Sequence, residues 1–459
     1  MTRENVIWVF GDQHRAQALS CNGNEKLSTP NLDEMSMRGF NFYNAVAGYP
    51  LCCPFRGTLL TSKYPHECVP GHQYRLPVDM KTIAHVFNDA GYKTAYFGKW
   101  HLDGAKEFKG SVTKHVVPPE RRGGFQVWMG YENNNKQWDT WVHGWDGEKE
   151  VQPYLLPDYE TNELASLLIN YLEKIKDEEE KTGEEKPFFA VLSVQPPHNP
   201  YWAPEEYMER HFDLDKLEPN EFQFRENVPH IKKVREMVAR DLGGAYAMIE
   251  NLDFNVGRVL DALEKCNLGS RTHVMFFSDH GDMHGSHGHF RKTTPYEESI
   301  RIPFIIGGSK SIVYEKAGDS LIDAMMNNVD IAPTTLGICG IEIPDEMDGI
   351  DYSHYVKGEG KKTDEPESAY IQSNIPTGHH DCIDAPWRGI VTRDGWKYVC
   401  FENMEWLMFD LNEDPYEMQN LAHYSAYKEK KKALNEKLRQ WIDVTRDVFQ
   451  LPDIEARYK

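Results

Sequence analysis

The chain has 459 residues, of which 40% are hydrophobic and 12% aromatic, enough to form a sizeable buried core. This composition excludes a chain that is disordered over most of its length. The formal net charge of -21 argues against non-specific binding to nucleic acid or to an anionic membrane, so we expect neither as a partner.

The cysteine pattern and the apolar runs bear on the compartment. The eight cysteines are few and scattered, and no CxxC pair indicates a zinc or dithiol redox site. The apolar run at residues 6–10 is too short for a signal peptide, and no run approaches the ~18 residues of a membrane span. We therefore expect a cytoplasmic protein, and a homo-oligomer is compatible with the sequence.

Strand and helix signals alternate along the chain. The predicted strands cover residues 5–10, 93–97, 187–194, 273–277 and 302–306. One predicted helix starts at Pro30, with Thr29 as its cap. Further predicted helices cover residues 82–90, 160–176 and 234–264. Continuous apolar runs are typical of strands buried on both faces. The alternation predicts an α/β fold with a large mixed, mostly parallel sheet flanked by helices.

Four polar residues follow predicted strands directly. Asp12, Lys99, His198 and Asp279 each lie just after one of these apolar runs. In parallel sheets ligands gather at the carboxyl ends of strands. The sequence therefore predicts that these four side chains meet at one rim of the sheet.

The pattern changes after about residue 365. A polar linker at 358–362 precedes short predicted strands at 389–393, 396–401 and 407–410 and a closing helix at 427–449. We predict a first domain over residues 1–365 and a smaller C-terminal α+β subdomain over residues 366–459, with a small antiparallel sheet.

Cys52 begins the sequence Cys52-Cys53-Pro54-Phe55-Arg56. A lone cysteine is most often a core residue. Only three residues separate Cys52 from Arg56, whereas tyrosine-phosphatase-like enzymes have five between cysteine and arginine. The Cys-x-Pro-x-Arg spacing matches the recognition motif of formylglycine-generating enzymes. The residues that follow enter a predicted helix, whose N-terminus suits an anion.

The chain resembles the formylglycine-dependent type I sulfatases of the alkaline-phosphatase-like superfamily. The matching motifs run in order along most of the chain: Gly11-Asp12-Gln13, Ser28-Thr29-Pro30-Asn31-Leu32, residues 52–61, Gly98-Lys99-Trp100-His101-Leu102, Pro197-His198-Asn199-Pro200, Ser278-Asp279-His280-Gly281-Asp282, Arg291-Lys292, residues 330–334 and residues 409–415. An ordered series of this kind is much harder to match by chance than any one of its elements.

The resemblance implies hydrolysis of a sulfate monoester, on a sulfated carbohydrate or another small molecule, by the first domain. A formylglycine-generating maturation enzyme would convert Cys52 to formylglycine. One hydroxyl of the hydrated aldehyde would attack sulfur to give a covalent sulfate intermediate, and the other would release sulfate. Phe55 replaces the small residue that many relatives have, and the surviving motif still predicts maturation.

The resemblance also assigns roles to charged residues. Arg56, Lys99 and Lys292 would surround the sulfate with positive charge. His101 would hydrogen-bond the formylglycine hydrate and later remove its proton, while His198 would lie near the leaving oxygen beside Lys292.

The predicted metal ligands are oxygen and nitrogen donors together with the residue at position 52. The full set is Asp12, Gln13, Cys52, Asp279 and His280. Many relatives have a second aspartate where this chain has Gln13. Calcium is the expected ion, with magnesium or manganese as alternatives because an amide and an imidazole replace hard carboxylate oxygens.

Weaker signals concern the substrate pocket. Trp138 and Trp141 belong to an aromatic, amide-rich segment that suits a sugar ring, and His379, His380 and Arg388 could close the pocket from the second domain. For the remaining histidines near the metal motif, His284, His287 and His289, we prefer supporting loop roles to a second metal site.

Two other functions remain open at this level. A phosphonate or phosphate ester hydrolase on the same scaffold also has a Gln after the first aspartate and an Asp-His pair. A non-catalytic binding protein would keep the fold alone, and the intact set of predicted catalytic residues argues against it.

Overall fold

The computed structural model describes residues 3–106, 112–316, 318–377 and 383–455. The strands are β1 (Asn5–Gly11), β2 (Phe40–Phe42), β3 (Lys93–Lys99), β4 (Val127–Tyr131), β5 (Trp141–Trp145), β6 (Glu150–Leu155), β7 (Phe188–Ser193), β8 (Phe212–Asp213), β9 (Glu218–Pro219), β10 (Thr272–Ser278), β11 (Phe304–Gly308), β12 (Leu321–Ile322), β13 (Ser368–Ser373), β14 (Trp387–Thr392), β15 (Trp396–Phe401) and β16 (Met404–Asp410). The α-helices are α1 (Pro30–Arg38), α2 (Cys52–Thr61), α3 (Ile83–Asp89), α4 (Glu160–Thr182), α5 (Glu205–Met208), α6 (Lys232–Lys265), α7 (Glu297–Ile300), α8 (Ile331–Ile338), α9 (Ser353–Val356) and α10 (Lys428–Val444).

A mixed sheet forms the centre of the molecule. Within the described residues it has 10 strands in the order β12-β2-β11-β10-β1-β7-β3-β4-β5-β6. The central run from β10 to β4 is parallel, and antiparallel pairs extend the sheet on both sides. This confirms the predicted α/β class with a large, mostly parallel sheet.

Strand β1 shows why both faces of the sheet are covered. All seven of its residues are buried, and side chains alternate between the two faces. Val6 and Trp8 pack into one apolar cluster with Ile83 of α3, whereas Ile7 packs into the other cluster with Leu252 of α6. The continuous apolar run therefore follows from burial between two layers of helices.

The register aligns the carboxyl ends of the central strands. Gly11 pairs with Ser278, and Gly98 pairs with Ser193. At Gly98 the backbone φ is +108°, and a Cβ there would lie 2.0 Å from the Ser193 carbonyl oxygen. Glycine is therefore required for β3 and β7 to approach so closely before Lys99.

Several predicted elements need correction. Helix α1 begins at Pro30 as predicted, but the Thr29 side chain does not cap it and instead bonds the Asp33 carboxylate at 3.2 Å. Helix α4 extends beyond the predicted end to Thr182, and the closing helix is shorter, Lys428–Val444. Strand β11 spans Phe304–Gly308, two residues later than predicted, and is antiparallel to β10, which agrees with the expected mixed sheet.

The C-terminal part contains a four-stranded antiparallel sheet in the order β13-β14-β15-β16. One face packs on α10, and Tyr64 and Val329 share an apolar cluster with Tyr370 and Ile390. Apolar contacts therefore join this sheet to the body of the molecule. The division into residues 1–365 and 366–459 stays a prediction.

Two structural observations concern the cysteines and the helices. None of the cysteines in the described part of the chain forms a disulfide. Across the same ranges, every helix is too short or too polar to cross a lipid bilayer.

His14, just beyond β1, makes the stability depend on pH. Burial lowers the pKa of His14 to about 4, and its ring is hydrogen-bonded to the Ala18 carbonyl oxygen. Below pH ~6.5 the unfolded chain binds a proton that the folded chain excludes, so stability falls as the pH falls towards 4. Between pH 7 and pH 5, we expect the free energy of unfolding to fall about 2 kcal/mol more for wild type than for His14→Gln. Urea unfolding at both pH values measures this, and equal losses would contradict it.

Candidate active site

The ends of four neighbouring strands deliver the polar groups. Asp12 follows β1, Lys99 ends β3, Ser193 ends β7 and Asp279 follows β10. These strands are adjacent and parallel, so their ends lie at one rim. The side chains of these four residues are buried there. The predicted convergence at the sheet rim is therefore observed for Asp12, Lys99 and Asp279.

Cys52 is the first residue of α2 and is buried at this rim. Its Sγ lies 3.1 Å from Lys292 Nζ, 3.2 Å from His280 Nε2 and 3.5 Å from Asp12 Oδ1. Burial, followed by the charge of Asp12, raises the pKa of the Cys52 thiol to about 12. An unmodified thiol would therefore be protonated, and a poor nucleophile, near neutral pH.

Arg56, one turn further along α2, joins the strand ends. Its Nη1 donates to the Lys99 carbonyl oxygen at 2.9 Å and to Ser193 Oγ at 2.8 Å. Its Nη2 lies 3.3 Å from Asp279 Oδ2 and 3.5 Å from Asp12 Oδ2. The planar fork thus fixes the start of α2 against the ends of four strands.

Three cations surround two carboxylates in this cluster. Lys99 Nζ lies 2.6 Å and Lys292 Nζ 3.9 Å from Asp12. Burial would raise the pKa of Asp12, but the charges of Lys99 and Lys292 outweigh it and hold that pKa well below its ordinary value. Burial opposes the charge of Lys292, yet Cys52 and Asp12 raise the Lys292 pKa. The site therefore combines an ionised aspartate with an excess of positive charge, which suits an anion.

The predicted metal ligands lie together. Ligand atoms of Asp12, Cys52, Asp279 and His280 are within 4.8 Å of one another, and all four residues are buried. His280 Nδ1 bonds the Gly281 carbonyl oxygen at 2.9 Å, which directs Nε2 towards the carboxylates. Two carboxylates and an imidazole so arranged fit a divalent cation.

Gln13 supplies a further donor. Its Oε1 is buried without a hydrogen-bond partner, while its Nε2 donates to Asp282 Oδ2 at 2.6 Å and Tyr201 OH at 3.1 Å. The amide is therefore oriented with its carbonyl oxygen left for a cation, and the donor set fits a metal ion. In the sequence, Asp282 stands only within the motif at residues 278–282, and no pattern there indicates Tyr201.

Asp282 is expected to act on the metal through Gln13. Asp282→Asn would place either an amide N–H₂ group or a weaker acceptor against Gln13 Nε2. The Gln13 amide would then be free to rotate. We expect metal affinity to fall about 10- to 100-fold. Calcium titration of the folded protein measures this. Asp241→Asn is a matched control, because both carboxylates lie near Arg291, Asp282 at 3.8 Å and Asp241 at 3.3 Å, whereas the Gln13 amide donates to Asp282. Equal losses in both variants would contradict the positioning role.

His198 lies in the loop after β7. Its Nδ1 bonds the Asn199 carbonyl oxygen at 2.7 Å, which places the single proton of the neutral ring on Nδ1. Burial and the charge of Lys292 lower the pKa of His198 well below its ordinary value. The ring is therefore neutral in the free protein, and its charge state responds to Lys292, Asp12 and Lys99.

His101 approaches the site from the end of β3. Its backbone has a left-handed φ of 56°, and its N–H donates to the Glu132 carbonyl oxygen at 2.7 Å. Its imidazole lies edge-on to His72, with ring centroids 5.6 Å apart, and within 4.8 Å of Cys53 Sγ. The hydrogen bond of His101 to position 52 stays a prediction.

The predicted substrate contacts have different surroundings. Trp138 is 41% exposed in a loop whose Gln137 donates to the His198 carbonyl oxygen. Trp141 is bonded to Asp139 and covered by Lys114. The interpretation of Arg388 as a substrate contact needs correction, because its guanidinium is buried in an ion pair with Asp447. His379 and His380 lie outside the described residues.

The histidines after the metal motif have structural neighbours. His284 packs on Tyr201, and His287 stacks on Tyr296 with centroids 4.1 Å apart. Within the described ranges, neither belongs to a potential metal-ligand cluster, and the same holds for His289. Ser193 was missed in the sequence, although its place at the end of an apolar strand could have indicated it.

Comparison with protein families gives two matches. The family model described as Sulfatase matches residues 4–341. The model described as N-sulphoglucosamine sulphohydrolase, C-terminal, matches residues 285–443.

Individual relatives match over almost the whole chain. The ulvan-active sulfatase of Formosa agariphila is 30% identical over 98% of this chain and 83% of its own. The endo-4-O-sulfatase of Bacteroides thetaiotaomicron is 30% identical over 91% of this chain and 87% of its own. Among solved structures, the yidJ protein of Bacteroides fragilis superposes with a TM-score of 0.83, at 29% identity, over 97% of this chain and 96% of that one.

Proposed function

The chain belongs to the sulfatase family of the alkaline-phosphatase-like superfamily, and from that premise we propose how its residues cleave a sulfate ester. Sulfatases are sulfuric ester hydrolases, so hydrolysis of a sulfate ester is its reaction. The proposal concerns the nucleophile, the roles of the surrounding residues and the class of substrate. The observation that carries it is the position of Cys52 at a helix N-terminus, within 3.1 Å of Lys292 and 3.5 Å of Asp12.

The nucleophile is formylglycine, produced from Cys52 by a maturation enzyme. Its hydrate supplies one hydroxyl for attack on sulfur and a second whose deprotonation releases sulfate. A divalent ion, expected to be calcium with magnesium or manganese as alternatives, would be held by Asp12, Gln13, Asp279 and His280 together with the residue at position 52. When bound, it supplies Lewis-acid activation and neutralises sulfate charge.

The protein's cations orient the ester. Lys292 reaches position 52 directly, and Lys99 lies against Asp12, so both charges face the place where the sulfate oxygens bind. Arg56 holds Asp12 and Asp279 in place and leaves the N-terminal N–H groups of α2 directed at the anion. These groups stabilise negative charge in a site from which water is largely excluded.

Proton transfer is divided between two histidines. His101 removes the proton of the hydrate hydroxyl that releases sulfate. His198, neutral in the free protein, gains a proton when the negative charge of the bound ester offsets Lys292, and it donates that proton to the leaving oxygen. Lys292 stays charged beside it.

His198→Ala is expected to affect substrates according to their leaving groups. A sugar alkoxide needs a proton as the bond to sulfur breaks, whereas a nitrophenolate does not. We expect turnover of an alkyl or sugar sulfate to fall about 10²- to 10⁴-fold and that of 4-nitrophenyl sulfate far less. Rates with both substrates on the same variant measure this. Equal losses would contradict the role in proton donation.

A sulfated carbohydrate is the proposed substrate. The support is twofold. Relatives that match over most of their own length are named for ulvan and for endo-4-O-sulfatase activity. Trp138 is exposed on the loop next to His198. A tryptophan face beside polar groups suits a sugar ring.

The test is a comparison of kcat/KM on a panel of sulfated oligosaccharides, 4-nitrophenyl sulfate, a phosphodiester and a phosphonate monoester. We expect sulfated sugars to be the best substrates. Faster hydrolysis of the phosphonate would overturn the assignment to sulfate in favour of the phosphonate hydrolase. No turnover of any member by protein shown to contain formylglycine would favour a binding role.

A further inference from the structure

Beside the nucleophile lies a second group of potential metal ligands. Cys53 Sγ, a nitrogen of His72 and a nitrogen of His101 lie within 4.8 Å of one another, and Cys53 and His101 are buried. Cys53 Sγ and His72 Nδ1 are 3.9 Å apart. The proposed reaction uses His101 but neither Cys53 nor His72.

The spacing is close to that of an occupied site. In tetrahedral zinc sites, bonds of about 2.3 Å to sulfur and 2.0–2.1 Å to nitrogen put the ligand atoms roughly 3.5 Å apart. Small side-chain rotations would bring the three ligand atoms to this spacing. Hydrogen bonds of the nearby backbone hold the residues in position for it. The Gln73 N–H donates to Cys53 Sγ at 3.4 Å, and the His101 N–H is bonded to Glu132.

The donor types separate this group from the carboxylate cluster. A thiolate and two imidazoles prefer Zn²⁺, Co²⁺ or copper and bind Ca²⁺ or Mg²⁺ poorly, whereas Asp12 and Asp279 prefer the hard cations. The two groups start from consecutive residues of α2, Cys52 and Cys53, yet select different metals.

We propose that Cys53, His72 and His101 form an inhibitory site for a thiophilic divalent ion such as Zn²⁺. On binding, the Cys53 thiol releases its proton to solvent and its sulfur bonds the metal, without any change in oxidation state. A water fills the fourth position. Occupation engages His101, so it blocks proton removal from the hydrate; this consequence rests on the role of His101 proposed above.

The first experiment detects the site without using activity. Cys52→Ser protein, in which position 52 offers no thiolate, is titrated with Co²⁺ in the presence of excess Ca²⁺. We expect a thiolate-to-cobalt charge-transfer band and the visible bands of four-coordinate cobalt, saturating at one equivalent. Adding Cys53→Ser should abolish both. The matched control adds Cys68→Ser instead, which changes another buried cysteine, beside Thr58, and should keep both sets of bands. Bands that persist without Cys53 would overturn the site.

The second experiment tests inhibition. Zn²⁺ is titrated into mature wild-type enzyme and mature Cys53→Ala enzyme, both with excess Ca²⁺. We expect the half-inhibitory Zn²⁺ concentration to be about 10- to 100-fold higher, or more, in the variant. Changes around a metal site typically lower metal affinity by this factor. Equal inhibition of both enzymes would overturn the proposal. A Cys53-dependent cobalt spectrum without inhibition would instead contradict the role of His101 in the proposed function.

Discussion

Cys52→Ala is expected to abolish turnover while leaving the protein folded. The change removes the residue that becomes the nucleophile, and the cations around it then bind the ester without a covalent route. We expect kcat on 4-nitrophenyl sulfate to fall by at least on the order of 10⁴-fold, equivalent to about 5 kcal/mol of transition-state stabilisation. Circular dichroism and thermal unfolding should remain close to wild type, because the variant loses only the small polar end of one side chain.

Cys53→Ala is the matched control for this variant. It removes the neighbouring buried thiol from the same turn of α2 and should keep wild-type turnover in the absence of added metals. Mass spectrometry of the tryptic peptide ending at Arg56 tests the modification itself. Conversion to formylglycine makes the peptide about 18 Da lighter, because CH=O replaces CH₂–SH. Wild-type turnover in Cys52→Ala would refute the mechanism.

Asp12→Asn is expected to cause the second large loss. Asp12 contacts Lys99, Lys292 and Arg56, and it is a predicted ligand of the divalent ion. Its neutral replacement would leave three cations facing the single carboxylate of Asp279. We expect the metal concentration for half-maximal activity to rise more than about 100-fold. Removing one partner from these buried pairs should lower the free energy of unfolding of metal-free protein by about 3 kcal/mol.

The measurements are metal-dependent reactivation after chelation and urea unfolding of the chelated protein. Asp253→Asn is the matched control. Asp253 is a buried residue of α6 whose carboxylate accepts hydrogen bonds from the Asn31 side chain and the Leu32 N–H, and neither of these is a predicted metal ligand. It should lower stability but keep the wild-type requirement for metal. A wild-type metal requirement in Asp12→Asn would show that Asp12 is not a ligand.

Much of the site could be read from local patterns. Apolar runs predicted β1, β3, β7 and β10 to within two residues at either end, because strands buried on both faces must be apolar throughout. The rule that ligands lie at the carboxyl ends of parallel strands then brought Asp12, Lys99 and Asp279 together. The family resemblance added Cys52 and His280, which periodicity alone does not distinguish from core residues.

Other features depend on groups distant in sequence. The orientation of the Gln13 amide depends on Asp282 and Tyr201, which lie 269 and 188 residues away. The sequence predicts Arg388 as a substrate contact, whereas the folded chain pairs it with Asp447, 59 residues further on. Such pairings depend on side-chain packing, for which a single sequence has no local signal.

The sequence by itself determined the α/β class, because that class follows from short-range apolar periodicity and strand ends. Its ordered motifs also carried the family resemblance that predicts a formylglycine nucleophile at Cys52. Only the tertiary structure decided which cations reach position 52, how Gln13 presents its oxygen, and that Cys53 lies near both His72 and His101. The physical reason is that coordination and charge pairing depend on distances of a few ångströms between residues from different strands, and those distances exist only once the sheet and its helices are packed.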